Sequence, residues 1–202
     1  MAADGSVLAE TRGPEGMLHC ATAGFAPVLA NHLARLGATQ DLPVLICGMA
    51  GARQGWIEAP YLHTPTRLDA LHGGAQRVAT RGDVRILPGL AQADATAPDV
   101  MRGEETQLLG VTEPDFTGLV CIPGTHSKWI LIDSGSVVSF TTYMTGELFS
   151  VIAQHSILKH AIAPDAGSPV ANDAFRDGLQ RALDRPSALP ASLFSVRAAQ
   201  LL

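Results

Sequence analysis

The 202-residue sequence is poor in charge and in long apolar runs. Charged residues make up 16% of the chain, the formal net charge is -5, and no block of like charges occurs, so a basic surface for nucleic acid is not expected. No apolar run approaches the roughly 18 residues that a membrane-spanning helix requires. The opening residues, MAADGSVLAETRG, lack both the basic and the apolar region of a secretory signal. The sequence therefore predicts a cytoplasmic protein that binds neither nucleic acid nor membranes.

Cysteine is also scarce, with three residues at positions 20, 47 and 121 and no CxxC pair. An odd number without paired spacing favours neither a disulfide framework nor a zinc cluster, and no metal-binding side chains are predicted. Because Cys47 and Cys121 fall in apolar, strand-like runs, we expect both thiols to be buried and inert.

Apolar residues (47%), 20 glycines and 13 prolines dominate instead, as is typical of a loop-rich α/β protein. Apolar periodicity predicts helices at 23–36, 145–158, 168–183 and 189–202, and strands at 6–10, 43–47, 84–87, 118–123, 128–132 and 136–140. The all-apolar run 43–47 is typical of a strand covered on both faces. Pro169 suits the first turn of its helix. A new strand–loop–strand pattern after residues 112–117 predicts two domains, 1–112 and 113–202.

A glycine-rich turn, GMAGARQGW at 48–56, follows the strand at 43–47. Ligand clefts in open α/β sheets lie at the carboxyl ends of strands, so side chains of this turn can face a ligand. Arg53 can bind a carboxylate or phosphate with two parallel hydrogen bonds, and Gln54 stands beside it. The alternative is that Arg53 pairs with a nearby acid and the turn is purely structural. The turn lacks the GK[ST] ending of a P-loop.

Two adjacent carboxylates, Glu104 and Glu105, stand beside Arg102 in MRGEETQ, at a predicted helix start. Acidic side chains are ordinary partners of a helix N-terminus. Alternatively, one of them serves as a general base for a hydroxyl nucleophile. Adjacent residues of a helix do not share a face, so at most one of the two should face a cleft.

The segment PGTHSKW, 123–129, interrupts two apolar runs with hydrogen-bond donors. Its backbone N–H groups, hydroxyls and Lys128 can bind an anion such as phosphate, whereas a solvated hairpin is the structural alternative. A weaker alternative is an acyl-transfer hydrolase that uses Ser127 and His126. In TTYMTGELF, Thr145 is predicted to cap a helix whose free N–H groups form a second anion site; here the alternative is simple capping.

Four segments in this order and at these separations carry a more specific resemblance: CGMAGARQGWIEAPY, VMRGEETQLLG, PGTHSKWILID and TTYMTGELFSVIAQHS. Together they closely resemble the 2-dehydro-3-deoxygalactonokinase family, sugar-acid kinases of the actin/hexokinase/Hsp70-like superfamily. The similarity covers essentially the whole chain. It implies a ribonuclease-H-like two-lobe α/β fold. It also implies transfer of the γ-phosphoryl group of ATP, with Mg²⁺, to the 6-hydroxyl of 2-dehydro-3-deoxy-D-galactonate.

The resemblance also implies roles for individual residues. Glu104 would be the base, with Glu105 as the alternative. Gly124, Thr125 and Lys128 would contact the ATP phosphates. Arg53, Gln54 and Arg102 would bind the sugar acid, whose carboxylate needs a partner.

Members of the family resemble two-lobed kinases of roughly 300 residues. This length is well above the ~100–150 residues typical of one domain. They open with a phosphate-binding loop and continue into a glycine-rich adenosine segment. We therefore expect both lobes to be incomplete here, 1–112 lacking its first strand and 113–202 lacking the adenosine part. The alternative function is a sugar-acid-binding remnant that no longer transfers phosphate. The resemblance is compatible with a homodimer.

Overall fold

The computed structural model describes residues 2, 4–39, 41–80, 82–162 and 172–202. These residues group into two compact units. Unit 1 comprises Met1–Ile122 and Lys128–Thr142, and unit 2 comprises Pro123–Ser127 and Tyr143–Leu202. The boundary between residues 112 and 113 refers to lobes of a kinase fold and stays a prediction.

The fold is a mixed α/β arrangement of ten strands and six α-helices among the described residues. The helices are α1 (Met17–Ala23), α2 (Phe25–Arg35), α3 (Glu104–Val111), α4 (Thr145–His155), α5 (Asp173–Asp184) and α6 (Leu189–Leu201). The strands are β1 (Val44–Ile46), β2 (Leu62–His63), β3 (Thr66–Arg67), β4 (Gln76–Arg77), β5 (Val84–Ile86), β6 (Leu90–Gln92), β7 (Asp99–Met101), β8 (Gly118–Ile122), β9 (Ser127–Asp133) and β10 (Ser136–Tyr143).

The strands form three small sheets, with the orders β1-β5-β4, β2-β6-β7 and β3-β10-β9-β8. β1 pairs with β5, and β2 with β6, in parallel, whereas β8 and β9 form an antiparallel hairpin. One face of β9 and β10 is buried in the main core of unit 1, whose members are Leu68, Leu71, Leu90, Met101, Leu108, Ile130, Ile132, Val137 and Phe140. A second core of unit 1 lies around Ala59, Val78, Val84 and Ile86.

Two polar side chains join the sheet containing β6 and β7 to strand β10 in place of ordinary strand pairing. Gln92 accepts a hydrogen bond from the Phe140 N–H at 3.0 Å. Asp99 accepts from the Thr142 N–H at 2.7 Å and from its hydroxyl at 2.8 Å. Each bond satisfies a backbone or hydroxyl donor that would otherwise be left unpaired near the core.

Most predicted elements are present with boundaries shifted by a few residues. The predicted helix 23–36 is observed as α2, and Gly24 separates it from α1, a helix that was not predicted. Residues 6–10 form no strand. The helix predicted at 168–183 is observed as α5, whereas Pro169 and the rest of its predicted first turn lie outside the described residues.

Three burial predictions are wrong, namely those for Cys47, for Cys121 and for the run 43–47. Cys47 and Cys121 are exposed, and Cys20 is the buried thiol. Cys121 lies opposite Trp129 in the β8–β9 hairpin, and both are on the exposed face of the sheet. Leu45 in β1 is likewise exposed, so the run 43–47 is covered on one face only. An apolar run does not reveal which of its two faces a sheet will cover.

Candidate active site

The segment Arg102–Glu105, called here the Glu104 loop, comprises the turn after β7 and the first two residues of α3. It packs against the glycine-rich turn that follows β1. Gly103 adopts φ +113°, a conformation that side-chain-bearing residues rarely adopt. A Cβ on Gly103 would lie 3.4 Å from the Cα of Gly48, so the two backbones approach closely. The structure therefore brings together the two sequence segments that were predicted separately as substrate-side and catalytic.

Glu105 is fully buried and turns back on its own loop. Its two carboxylate oxygens accept from the Gly103 N–H at 2.8 and 2.7 Å, and the Thr106 hydroxyl donates to it at 3.3 Å. Burial raises the pKa of Glu105, and the neighbouring Glu104 charge adds to this, while the N–H groups of Glu105 and Gly103 oppose it. Glu105 therefore supports the loop, and solvent has no access to it.

Glu104 remains accessible, with 21% of its side chain exposed. Its Oε2 accepts from the Arg102 N–H at 3.1 Å, and its Oε1 lies 3.3 Å from Nζ of Lys128. Of the two adjacent carboxylates, Glu104 is thus the one that a ligand can reach. The expectation that at most one of them faces a cleft agrees with this geometry.

The guanidinium of Arg102 is directed into unit 1. It lies over the ring of Tyr61, 4.2 Å from the centroid, and donates to the carbonyl of Ala59 at 2.8 Å. Its Nε and Nη1 are buried and find no acceptor among the described residues. Arg102 therefore links the loop to the segment 59–61, a structural contact that the sequence did not indicate.

Arg53 and Gln54 lie exposed on the turn after β1. Arg53 is 84% exposed and its Nε is 3.9 Å from Oε1 of Glu58, a weak surface ion pair. The side chain of Arg53 is consequently available to an anionic ligand, and its role in substrate binding stays a prediction.

In unit 2, the residues Pro123–Ser127 are anchored on the start of α4. The Thr145 hydroxyl donates to the Gly124 carbonyl at 3.2 Å, and the Glu147 N–H donates to the Thr125 carbonyl at 3.0 Å. A Cβ on Gly146 would lie 2.8 Å from the Gly124 oxygen, so only glycine permits this approach. Gly124 and Thr125 themselves remain exposed.

This anchoring corrects the prediction that Thr145 caps α4. Met144 is the N-cap residue, and Thr145 is the first helical residue. The Thr145 side chain holds the loop instead of capping the helix. The N–H of Glu147 is bonded to the Thr125 carbonyl, and an anion site at this helix start stays a prediction.

Side chains of the same loop also engage α4. Ser127 Oγ lies 2.5 Å from Thr145 Oγ1, and His126 Nε2 lies 2.5 Å from Glu147 Oε2. The Ser127 hydroxyl is buried and also accepts from the Gly124 N–H. The geometry therefore gives no support to a hydrolase based on Ser127 and His126. No local sequence pattern predicts the contact between His126 and Glu147, because the two residues are 21 positions apart.

Within the described part of the chain, no helix has the length and apolarity needed to cross a bilayer. Nor does that part of the chain hold three or more His, Cys, Asp or Glu side chains arranged around a common metal position.

The fold closely matches that of a solved bacterial protein. The crystal structure titled "putative 2-dehydro-3-deoxygalactonokinase protein from Sinorhizobium meliloti" matches with a TM-score of 0.94 and 50% identity, covering 100% of this chain and 68% of that one. The family model of 2-keto-3-deoxy-galactonokinase matches residues 1–202. The chain belongs to this family, and the resemblance found in its four segments is confirmed.

Two curated relatives support the same assignment. A protein of Rhizobium meliloti named as a probable 2-dehydro-3-deoxygalactonokinase is 52% identical over 202 residues, or 98% of this chain. The 2-dehydro-3-deoxygalactonokinase of Escherichia coli is 40% identical over 163 residues, or 81% of this chain. The chain spans 66% and 54% of the lengths of these relatives.

Proposed function

We propose that the chain acts in the ATP-dependent phosphorylation of 2-dehydro-3-deoxy-D-galactonate at its 6-hydroxyl, in galactonate breakdown. The observation that carries the proposal is the accessible carboxylate of Glu104, held at the RGEE loop of a chain from this kinase family. Phosphoryl transfer requires little covalent chemistry from the protein, and its catalysis depends on positioning the reactants and stabilising charge. A fixed carboxylate near the acceptor hydroxyl meets the first of these needs.

Glu104 is the proposed base. As the acceptor oxygen forms its bond to the γ-phosphorus, the bond from that phosphorus to the β–γ bridging oxygen breaks and ADP leaves. The hydroxyl proton passes to the Glu104 carboxylate. Glu105, whose oxygens are occupied by the Gly103 N–H, supports the loop that carries Glu104.

Sugar-acid binding is assigned to the turn after β1. Arg53 is exposed and only weakly paired with Glu58, so its guanidinium can take the substrate carboxylate with two parallel hydrogen bonds. Gln54 can bond a sugar hydroxyl. Arg102 contributes by fixing the Glu104 loop through Ala59 and Tyr61.

Nucleotide binding is assigned to Gly124 and Thr125, which are exposed on a loop held by α4. Mg²⁺ in such enzymes keeps water and phosphate oxygens as ligands and needs only one or two carboxylates. The proposed Mg²⁺ arrives with the nucleotide, held mainly by water and phosphate oxygens. When bound, it neutralises phosphate charge.

The proposal extends to the architecture and the setting of the protein. On the basis of the family relationship, we propose a ribonuclease-H-like, two-lobe actin/hexokinase-type fold whose lobes divide near residue 112. We further propose a cytoplasmic enzyme whose ligands are the sugar acid and ATP, with no nucleic-acid or membrane partner, and a homodimer as its assembly.

ADP formation tests this function. Purified chain is supplied with Mg-ATP and 2-dehydro-3-deoxy-D-galactonate, and with each alone as controls. We expect ADP to form only when both substrates are present. Sugar-acid binding by calorimetry without ADP formation would contradict the kinase and favour the sugar-acid-binding remnant.

A further inference from the structure

Lys128 occupies an unusual position for a lysine. In β9, Lys128, Ile130 and Ile132 alternate on the buried face of the strand. Only 5% of the Lys128 side chain is exposed, although lysine is almost never fully buried unless it is paired. Its ammonium therefore needs a partner inside unit 1, and Oε1 of Glu104, at 3.3 Å, is that partner.

The carboxylate of Glu104 is held at both oxygens. Lys128 contacts Oε1, and the Arg102 N–H donates to Oε2 at 3.1 Å. Two contacts on different oxygens fix the plane of the carboxylate as well as its position. The backbone contact is local, whereas Lys128 reaches Glu104 from a strand 24 residues further along the sequence.

We propose that Lys128 is a positioning residue that acts through Glu104, rather than a ligand of the ATP phosphates. This inference rests on the proposed function, in which Glu104 accepts the proton of the acceptor hydroxyl. The Lys128 ammonium keeps the Glu104 carboxylate in one orientation, so that the acceptor meets a preorganised base. An ammonium that is already paired and shielded from solvent is poorly placed to contact a nucleotide.

A kinetic double-mutant cycle separates the two roles. The variants are Lys128→Met, Glu104→Gln and the double variant, with kcat and KM measured for both substrates. We expect Lys128→Met to lower kcat at least about tenfold, with KM for ATP changed less than about twofold. In the Glu104→Gln background, the same change should have almost no further effect on kcat. Lys128→Arg should recover part of the rate, because it retains the charge.

A phosphate ligand gives the opposite pattern. A rise in KM for ATP of about tenfold or more, of the same size with and without Glu104, would overturn the proposal. An unchanged kcat in Lys128→Met would also overturn it. Methionine fills a similar volume in apolar surroundings, and circular dichroism with thermal melting checks that each variant is folded.

Failure of the proposed function gives a different result. If the wild-type chain forms no ADP, the kinase proposal falls and the positioning role falls with it. A double-mutant cycle of unfolding free energies, measured by urea denaturation of the same variants, then tests the ion pair by itself. Coupling between positions 104 and 128 supports the pair, and additive effects contradict it.

Discussion

Asp99 accepts hydrogen bonds from both the backbone N–H and the hydroxyl of Thr142, at 2.7 and 2.8 Å. Asp99 begins β7, which leads directly into the Glu104 loop, and Thr142 lies near the end of β10. A third donor, the Val100 N–H, bonds the same carboxylate at 2.7 Å. One side chain thus fixes two strands that do not pair along their length.

The first prediction concerns this contact. Asp99→Ala should lower the free energy of unfolding by about 2 kcal/mol, because it removes charge-assisted bonds and leaves the Thr142 donors unpaired. Thr142→Val, which removes only the hydroxyl, should cost about 1 kcal/mol. Urea denaturation measures both. Equal midpoints for Asp99→Ala and wild type would show that the contact contributes nothing.

Gly103 lies just before α3 and Gly110 lies in its last turn. The two positions therefore offer a test substitution and a matched control. Gly103→Ala places a side chain at φ +113° and 3.4 Å from Gly48, so stability should fall by roughly 1–3 kcal/mol and activity with it. Gly110 lies in α3, where an added Cβ meets no other described atom within 4 Å. Gly110→Ala should be neutral or stabilise by up to ~1 kcal/mol. A loss at Gly110 as large as that at Gly103 would contradict the account of the loop.

Stability should depend on pH through Glu105. Burial raises its folded pKa above the ordinary glutamate value of 4.5. Between the two values the folded protein binds more protons than the unfolded one, so stability falls as pH rises through this window and is constant above it. Glu105→Gln should lack this fall, whereas Glu104→Gln should retain it. Parallel curves of unfolding free energy against pH for wild type and Glu105→Gln would refute the prediction.

Arg53 should matter for the sugar acid and little for the fold. Its side chain is 84% exposed, so Arg53→Ala should leave the melting temperature unchanged. Loss of a bidentate partner should weaken sugar-acid binding about tenfold or more, with ATP binding much less affected. Isothermal titration measures each ligand in turn, and Arg53→Lys is the charge-retaining control. Equal losses for both ligands would remove Arg53 from the sugar-acid site.

A substitution in α4 can displace the loop Pro123–Ser127 of unit 2 without changing any residue of that loop. Gly146→Ala brings a Cβ to 2.8 Å from the Gly124 oxygen and 2.9 Å from the Thr125 Cα, so the loop must move away from α4. Nucleotide affinity should drop about tenfold or more. Gly178→Ala in α5, where a Cβ meets no described atom within 4 Å, is the control. Unchanged affinity in Gly146→Ala would argue against Gly124 and Thr125 as phosphate contacts.

Sequence reasoning located the segments better than their contacts. The strands β8, β9 and β10 and the differing environments of Glu104 and Glu105 follow from local periodicity and helix geometry. The pairing of Glu104 with Lys128 and of Asp99 with Thr142 joins residues far apart in sequence, and depends on which strands become neighbours. The exposure of Cys121 and Leu45 depends likewise on which face of a sheet is covered, which periodicity alone does not determine.

The central claim, that Glu104 serves phosphoryl transfer to the sugar acid, is tested most directly by a single-turnover assay. Enzyme in excess over γ-labelled ATP, with saturating 2-dehydro-3-deoxy-D-galactonate, reports transfer of the labelled phosphate to the sugar acid. Wild type should transfer it, and Glu104→Gln should be slower by about 10²-fold or more with both substrates still bound. Transfer by Glu104→Gln within about threefold of wild type would contradict the claim, since a base contributes more than that.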